Sequence, residues 1–160
     1  MHWATADLLD NHPETAVFDH GLRSYGGMPD LVGRATLIQA PADNTHVRST
    51  LERPGEGRVL VVEGEGVMSC ALVGDRLAQL AIDNGWAGIL INGCIRDSGV
   101  IASMPIGIWA LGTNPRRSSK QNRGGPVPEA SFLGVVIQEG DWIYADADGI
   151  LVARHALHAA

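Results

Sequence analysis

The chain has 160 residues, 45% of them hydrophobic and 19% charged, which fits one domain over 1–160 around a single hydrophobic core. Twelve Lys and Arg against 18 Asp and Glu leave a formal net charge of −6, a balance that disfavours a general binder of nucleic acid or of anionic membranes. Cys70 and Cys94 form no C-x-x-C pair, the first residues form no basic-then-apolar leader, and no apolar run approaches the roughly 18–20 residues of a membrane span, so the expectation is a soluble, unprocessed protein of the reducing cytoplasm.

Thr5 can cap a short helix over 6–11, stopped by His12-Pro13. Residues 33–40 alternate in part and predict a strand, and 44–53 predict a short helix closed by Pro54-Gly55. The run 58–63, β-branched and continuously apolar at its centre, predicts a strand buried on both faces. The clearest helix is 75–84, with Leu77, Leu80 and Ala81 on one side and Gly85 at its stop. A second buried strand follows at 86–92, and a strand, helix and strand in so short a span predict a parallel pair joined by a crossover. Residues 97–103 suggest a helical turn and 106–111 a third strand. The polar stretch 114–128, with Gly124-Gly125, predicts one long surface loop, and 132–137, 142–145 and 149–153 predict three mostly antiparallel strands that make the last third strand-rich.

Two acidic turns carry the chemical interest. Gly74-Asp75 opens the best helix, where backbone N–H groups and the helix dipole favour an anion, although Asp75 also suits a purely terminal role. Arg96-Asp97 comes directly after the second buried strand. Sites in sheets built from crossovers collect at the C-terminal ends of parallel strands, so the two turns are expected to be spatial neighbours. A carboxylate with water suits Mg²⁺ or Mn²⁺, and a guanidinium can grip a carboxylate or enolate oxygen; an Arg-Asp dipeptide alone is equally at home as a structural ion pair. Cys94 lies near Arg96, which would lower its pKa, but burial as a small apolar residue is its more ordinary fate. The six histidines show no ligand spacing, and His155 and His158 read as a solvated terminus. Arg116, Arg117, Lys120 and Arg123 place four cations in the predicted loop, where solvated charge is the ordinary role and guidance of an anionic substrate or an acidic partner the alternative; no aromatic residue is there for base stacking.

With both turns in view, the chain resembles the RraA-like family, which includes regulators of RNase E activity and 4-hydroxy-4-methyl-2-oxoglutarate aldolases. The resemblance rests on Tyr25-Gly26-Gly27, Gly57-Arg58-Val59-Leu60-Val61-Val62, Ala71-Leu72-Val73-Gly74-Asp75, Asn84-Gly85-Trp86-Ala87-Gly88, Gly93-Cys94-Ile95-Arg96-Asp97 and the segment from Gly140 to Ile150, in order along nearly the whole length. It implies an α/β fold of the layered β/β/α swivelling type, assembled as a homotrimer or a pair of trimers with the site between subunits. It further implies that Asp97 binds a divalent cation (Mg²⁺ or Mn²⁺) directly and Asp75 through water, that Arg96 binds the α-keto oxygen of an oxo acid, and that backbone amides of Leu72, Val73 and Gly74 receive the pyruvyl carboxylate. Family members that act only as ribonuclease regulators tend to lack the acidic pair, so the resemblance implies a metal-dependent lyase, either an aldolase or an oxaloacetate decarboxylase, rather than a regulator with a ribonuclease partner or a vestigial trimer. The longer aldolases carry a C-terminal extension that brings an acid into a neighbour's site; this sequence ends at Ala160, so decarboxylation is expected to outrun aldol cleavage.

Overall fold

The structure, a computed structural model, describes residues 2–158. In chain order its elements are α1 (Thr5–Asn11), β1 (Ala16–Val17), β2 (Arg23–Ser24), β3 (Leu31–Gln39), α2 (Thr45–Leu51), β4 (Val59–Glu63), β5 (Ala71–Val73), α3 (Asp75–Asp83), β6 (Gly88–Ile95), α4 (Ser98–Ile101), β7 (Gly107–Thr113), β8 (Gly125–Pro126), β9 (Glu129–Phe132), β10 (Val135–Gln138), β11 (Trp142–Asp146) and β12 (Gly149–Ala153).

The central strands β3, β4, β6 and β7 are parallel neighbours, with Val59 opposite Gly88 and Val62 opposite Ile91 as the crossover expectation requires. Outside them the sheet continues through antiparallel β11, β12 and β1 on one side and β2 on the other, while β5 runs beside the C-terminal half of β6. Alternate residues of β4 and β6 point into two different cores, one on each face of the sheet, rather than into the single core expected, which is why both read as unbroken apolar runs. Leu60, Val62, Ile89 and Ile91 face α2, α3 and α4 through Val47, Leu51, Leu77, Ala81 and Ile101. Val59, Val61 and Leu90 face the β9–β10 hairpin and the curled β11–β12 end, meeting Phe132, Val135, Ile137 and Ile143. Each such Leu, Ile or Val contributes about 1.5–3 kcal/mol on burial, so a charge at Ile89 or Leu90 would break one core or the other. The resulting stack of helices, sheet and hairpin is a mixed α/β fold with a curled sheet, in keeping with the layered α/β fold that the resemblance implied.

Several local expectations fail for identifiable reasons. Residues 132–137 are not one strand: Leu133 and Gly134 both take positive φ, 47° and 78°, and turn the chain so that β10 pairs back on β9. The stretch 114–128 is more than a surface loop, because β8 pairs with β3 and Ser119 and Gln121 both donate to the enclosed carboxylate of Asp43. Thr5 lies inside α1 rather than capping it; its N–H and hydroxyl donate to Asp146 at 2.8 and 2.7 Å, tying the helix to the end of β11. His158 is not frayed either, since its Nδ1 lies 2.6 Å from the Tyr144 hydroxyl, which also accepts the Leu157 N–H.

Candidate active site

The parallel strands β5 and β6 end side by side, and each is followed by a turn into a helix, so the topology delivers Gly74-Asp75 and Arg96-Asp97 to one place. The Arg96 N–H donates to the Val73 carbonyl at 2.9 Å, which fixes the two turns against each other. The Asp75 N–H then donates to Asp97 Oδ2 at 3.1 Å. Asp97 thus fills the first turn of α3 with a carboxylate, where the dipole favours one, while its own carbonyl accepts the Val100 and Ile101 N–H groups of α4. To do both it adopts a left-handed backbone, φ 57° and ψ 35°, at the start of α4. A non-glycine residue held there is strained, and such strain persists where the surroundings demand it. Gly74 is the complementary feature. A Cβ at Gly74 would lie 2.8 Å from Asp97 Oδ2 and 3.4 Å from Arg96 Cγ and Nε, so only glycine admits the aspartate so close to α3.

These residues line a cleft of about 610 Å³. The sequence-predicted Val73, Gly74, Asp75, Arg96 and Asp97 all border it. Leu72 does not: its side chain is buried in the core and its carbonyl accepts Asn44 Nδ2 at 3.2 Å, which places it one residue behind the wall. Opposite stand Asn44, Arg48, Arg117 and Lys120, which join the site from α2 and from the stretch read as a loop. Lys120, the single lysine of the sequence, donates from Nζ to Asn44 Oδ1 at 2.9 Å. Asp43 anchors this wall. Burial alone would raise its carboxyl pKa, but hydrogen bonds from Thr45 Oγ1, the Gln121 and Thr45 N–H groups and Ser119 Oγ outweigh that and hold it well below the usual carboxylate range. Sequence reading missed Asn44 and Arg48, and favoured a solvated loop for Arg117 and Lys120 over a patch that guides an anionic substrate; a polar Asp43-Asn44 ahead of a helix was the available signal.

The lining sets five cations, Arg48, Arg76, Arg96, Arg117 and Lys120, against two carboxylates, so the cleft suits a small molecule with more than one negative charge. Among the described residues no group of three or more His, Cys, Asp or Glu side chains gathers into a cage. Two carboxylates on adjoining turns, open to solvent, fit a hard cation that keeps most of its own water, as Mg²⁺ does. Cys94 takes no part: it is fully buried, its sulfur lies 3.5 Å from that of Met68, and burial, together with nearby Cys70, pushes its thiol pKa up rather than down.

A profile of the family described as RraA-like, Aldolase/RraA, matches residues 5–152. A protein of Aromatoleum aromaticum that carries the provisional name 4-hydroxy-4-methyl-2-oxoglutarate aldolase is 46% identical over 158 residues, 98% of this chain and 99% of its own length. A similarly named protein of Xanthomonas campestris is 42% identical over 157 residues, 98% of this chain and 95% of its own. Among solved structures, that of the RNA-processing inhibitor RraA from Thermus thermophilus superposes with a TM-score of 0.93 at 36% identity, covering 97% of this chain and 94% of that one. A Geobacillus kaustophilus structure named S-adenosylmethionine:2-dimethylmenaquinone methyltransferase gives 0.94 at 44% identity, covering 97% of each chain.

Proposed function

The chain belongs to the RraA-like family, and from that premise we propose that it is a divalent-cation-dependent lyase that releases pyruvate from an oxo acid, by aldol cleavage of a 4-hydroxy-2-oxo acid, by decarboxylation of oxaloacetate, or both. The observation that carries this reading is the seating of the Asp97 carboxylate on the α3 N-terminus beside Arg96, in a space that Gly74 alone leaves open. The aldolase names of relatives at 42–46% identity support it.

Asp97, with Asp75 through water, would hold Mg²⁺ or Mn²⁺, which when bound supplies Lewis acidity toward the α-keto oxygen. Both candidate reactions break the C3–C4 bond, one releasing CO2 and the other a carbonyl fragment whose hydroxyl proton passes to water, and both leave the enolate of pyruvate, which takes a proton from water at C3; negative charge therefore grows on the α-keto oxygen in either transition state. Arg96 donates to it there, and a donor already fixed before reaction gains most when the charge develops. Backbone amides of the 72–74 turn, which leads into the start of α3, would receive the pyruvyl carboxylate. Arg48, Arg117 and Lys120 attract and orient the far carboxylate, with Asn44 steadying the lysine. Asp75 keeps its backbone N–H on Asp97, which holds that carboxylate in its strained turn. The same reading takes the working form as a homotrimer or a pair of trimers, with a neighbour closing the cleft, in the cytoplasm.

The likeness to the Thermus RNA-processing inhibitor supports a second reading, a regulator that binds a ribonuclease through exposed cations such as Arg116 and Arg123, which lie outside the cleft lining. Purified protein incubated with oxaloacetate and a set of 4-hydroxy-2-oxo acids, with Mg²⁺ or Mn²⁺ and then with chelator, decides between them. Chelator-sensitive pyruvate release supports the lyase. Its absence on every substrate, with inhibition of a ribonuclease, supports the regulator.

A further inference from the structure

In the lyase reading the far carboxylate of the substrate meets three cations, Arg48, Arg117 and Lys120. Among the described residues only the lysine has its charged group held by a hydrogen bond, from Nζ to Asn44 Oδ1 at 2.9 Å. A long cationic side chain that is free to swing attracts an anion over a range of distances, whereas a fixed ammonium favours one distance. An ammonium carries three N–H donors, so two remain for a carboxylate.

Asn44 is itself specified at both ends. Its Nδ2 donates to the Leu72 carbonyl at 3.2 Å, so one side-chain amide joins the turn that leads into α3 to the ammonium across the cleft. The order of the amide atoms is fixed too, since a carbonyl only accepts and an ammonium only donates. The root of the lysine is tied as firmly as its tip. On one side the Ser119 N–H donates to the Ala42 carbonyl at 3.1 Å; on the other the Gln121 N–H donates to the Asp43 carboxylate and the Asn122 N–H to Thr45 Oγ1 at 3.1 Å. Lys120 is therefore held from both ends, and its charge is held against the 72–74 turn.

We propose that Asn44 is a specificity-determining residue of the cleft: by pinning the Lys120 ammonium one amide away from the Leu72 carbonyl, it fixes the separation between the two carboxylates of the oxo diacid that the cleft accepts, and it favours a short one. Asn44 acts through the lysine and is a positioning residue. The inference rests on the reading of the cleft as an oxo acid site with the pyruvyl end at the 72–74 turn, and it extends that reading from charge to length.

The probes are 2-oxoglutarate, the longer 2-oxoadipate and the monoacid 2-oxobutyrate, titrated calorimetrically into the full chain at saturating Mg²⁺. None carries a 4-hydroxyl or a carboxylate on C3, so none reacts by the proposed routes and binding is read apart from turnover. Wild type should bind 2-oxoglutarate about tenfold more tightly than 2-oxoadipate, the worth of one charge-assisted hydrogen bond that the longer acid misplaces. In Asn44→Ala the lysine swings, so that ratio should fall to about twofold while both diacids still bind better than 2-oxobutyrate. In the nearly isosteric Asn44→Asp the new carboxylate occupies the ammonium, so the ratio should fall and the diacids should also lose ground to 2-oxobutyrate. Lys120→Met should remove the same length preference, and adding Asn44→Ala to it should change the ratio no further. Equal affinity of wild type for the two diacids, a ratio that survives in both Asn44 variants, or a uniform loss across all three acids would each overturn the proposal. Pyruvate release from oxaloacetate by the same wild-type protein reports on the lyase separately: release with length-blind binding refutes the length gauge alone, and no release with no oxo acid bound at millimolar concentration refutes both.

Discussion

Gly74→Ala is the smallest change that separates the chemistry of the cleft from the stability of the fold. Gly74 has φ −126° and ψ −169°, which any residue adopts, so an alanine there brings no backbone strain. Its methyl group, however, would start 2.8 Å from Asp97 Oδ2, whereas ordinary contact begins near 3.4 Å. The carboxylate must retreat by the difference, about 0.6 Å, and with it go its bond to the Asp75 N–H and the packing of Arg96. Displacements approaching 1 Å at reacting groups cost up to about a hundredfold in rate, so pyruvate release should fall roughly 10- to 100-fold. Because Asp97 is solvent-exposed and the core residues around Leu72 and Val73 are untouched, the melting temperature should move by no more than a few degrees. A coupled assay of pyruvate on matched protein, with thermal unfolding alongside, gives both numbers. Full activity in Gly74→Ala, or a variant that fails to fold, would refute the idea that this glycine exists to admit Asp97.

Arg96→Lys keeps the charge but loses the fork, so turnover should fall much more than substrate affinity, while neutralising Arg116 and Arg123 should leave lyase activity unchanged; the reverse pattern, with loss of ribonuclease inhibition in the loop variant, supports the regulator. Borohydride added with pyruvate should leave the mass of Lys120 unaltered, because the proposed route needs no Schiff base; a reduced adduct at Lys120 by mass spectrometry would contradict it. Asp43→Ala removes a carboxylate that accepts four hydrogen bonds, and should cost about 3 kcal/mol by urea unfolding at pH 7. Since folding lowers the Asp43 pKa, its contribution is fully present above the unfolded value near 3.9 and is lost as pH falls toward the folded one, so the gap between wild type and variant should narrow below about pH 4.

What could be read from the sequence follows from where each signal lies. The β4–α3–β6 unit was legible because both strands are buried on two faces and α3 has one apolar side, so periodicity and burial agree. The nearness of the two acidic turns was expected from the crossover rule, but β5, the three-residue strand that carries Gly74-Asp75 to the end of β6, is too short to show in the sequence pattern and was not among the predicted elements. The β9–β10 hairpin was not, because Phe132, Leu133 and Val135 run apolar across a turn that is marked by a single glycine. The second wall of the cleft was hidden for another reason. Asn44 and Lys120 stand 76 residues apart, and they meet only because the Asp43 carboxylate draws Ser119 and Gln121 onto the start of α2. Composition marks such a segment as polar and loop-like, and only its hydrogen bonds reveal that it is fixed.

The central claim is that Asp97 holds the cation on which pyruvate release depends. Side-by-side turnover of oxaloacetate by wild type and Asp97→Ala, at saturating Mn²⁺ and after chelation, tests it most directly, with circular dichroism confirming that both are folded. Wild type should release pyruvate only before chelation, and Asp97→Ala should fall at least a hundredfold under the same conditions. Turnover in Asp97→Ala equal to wild type, or wild-type release that chelator does not touch, would contradict it.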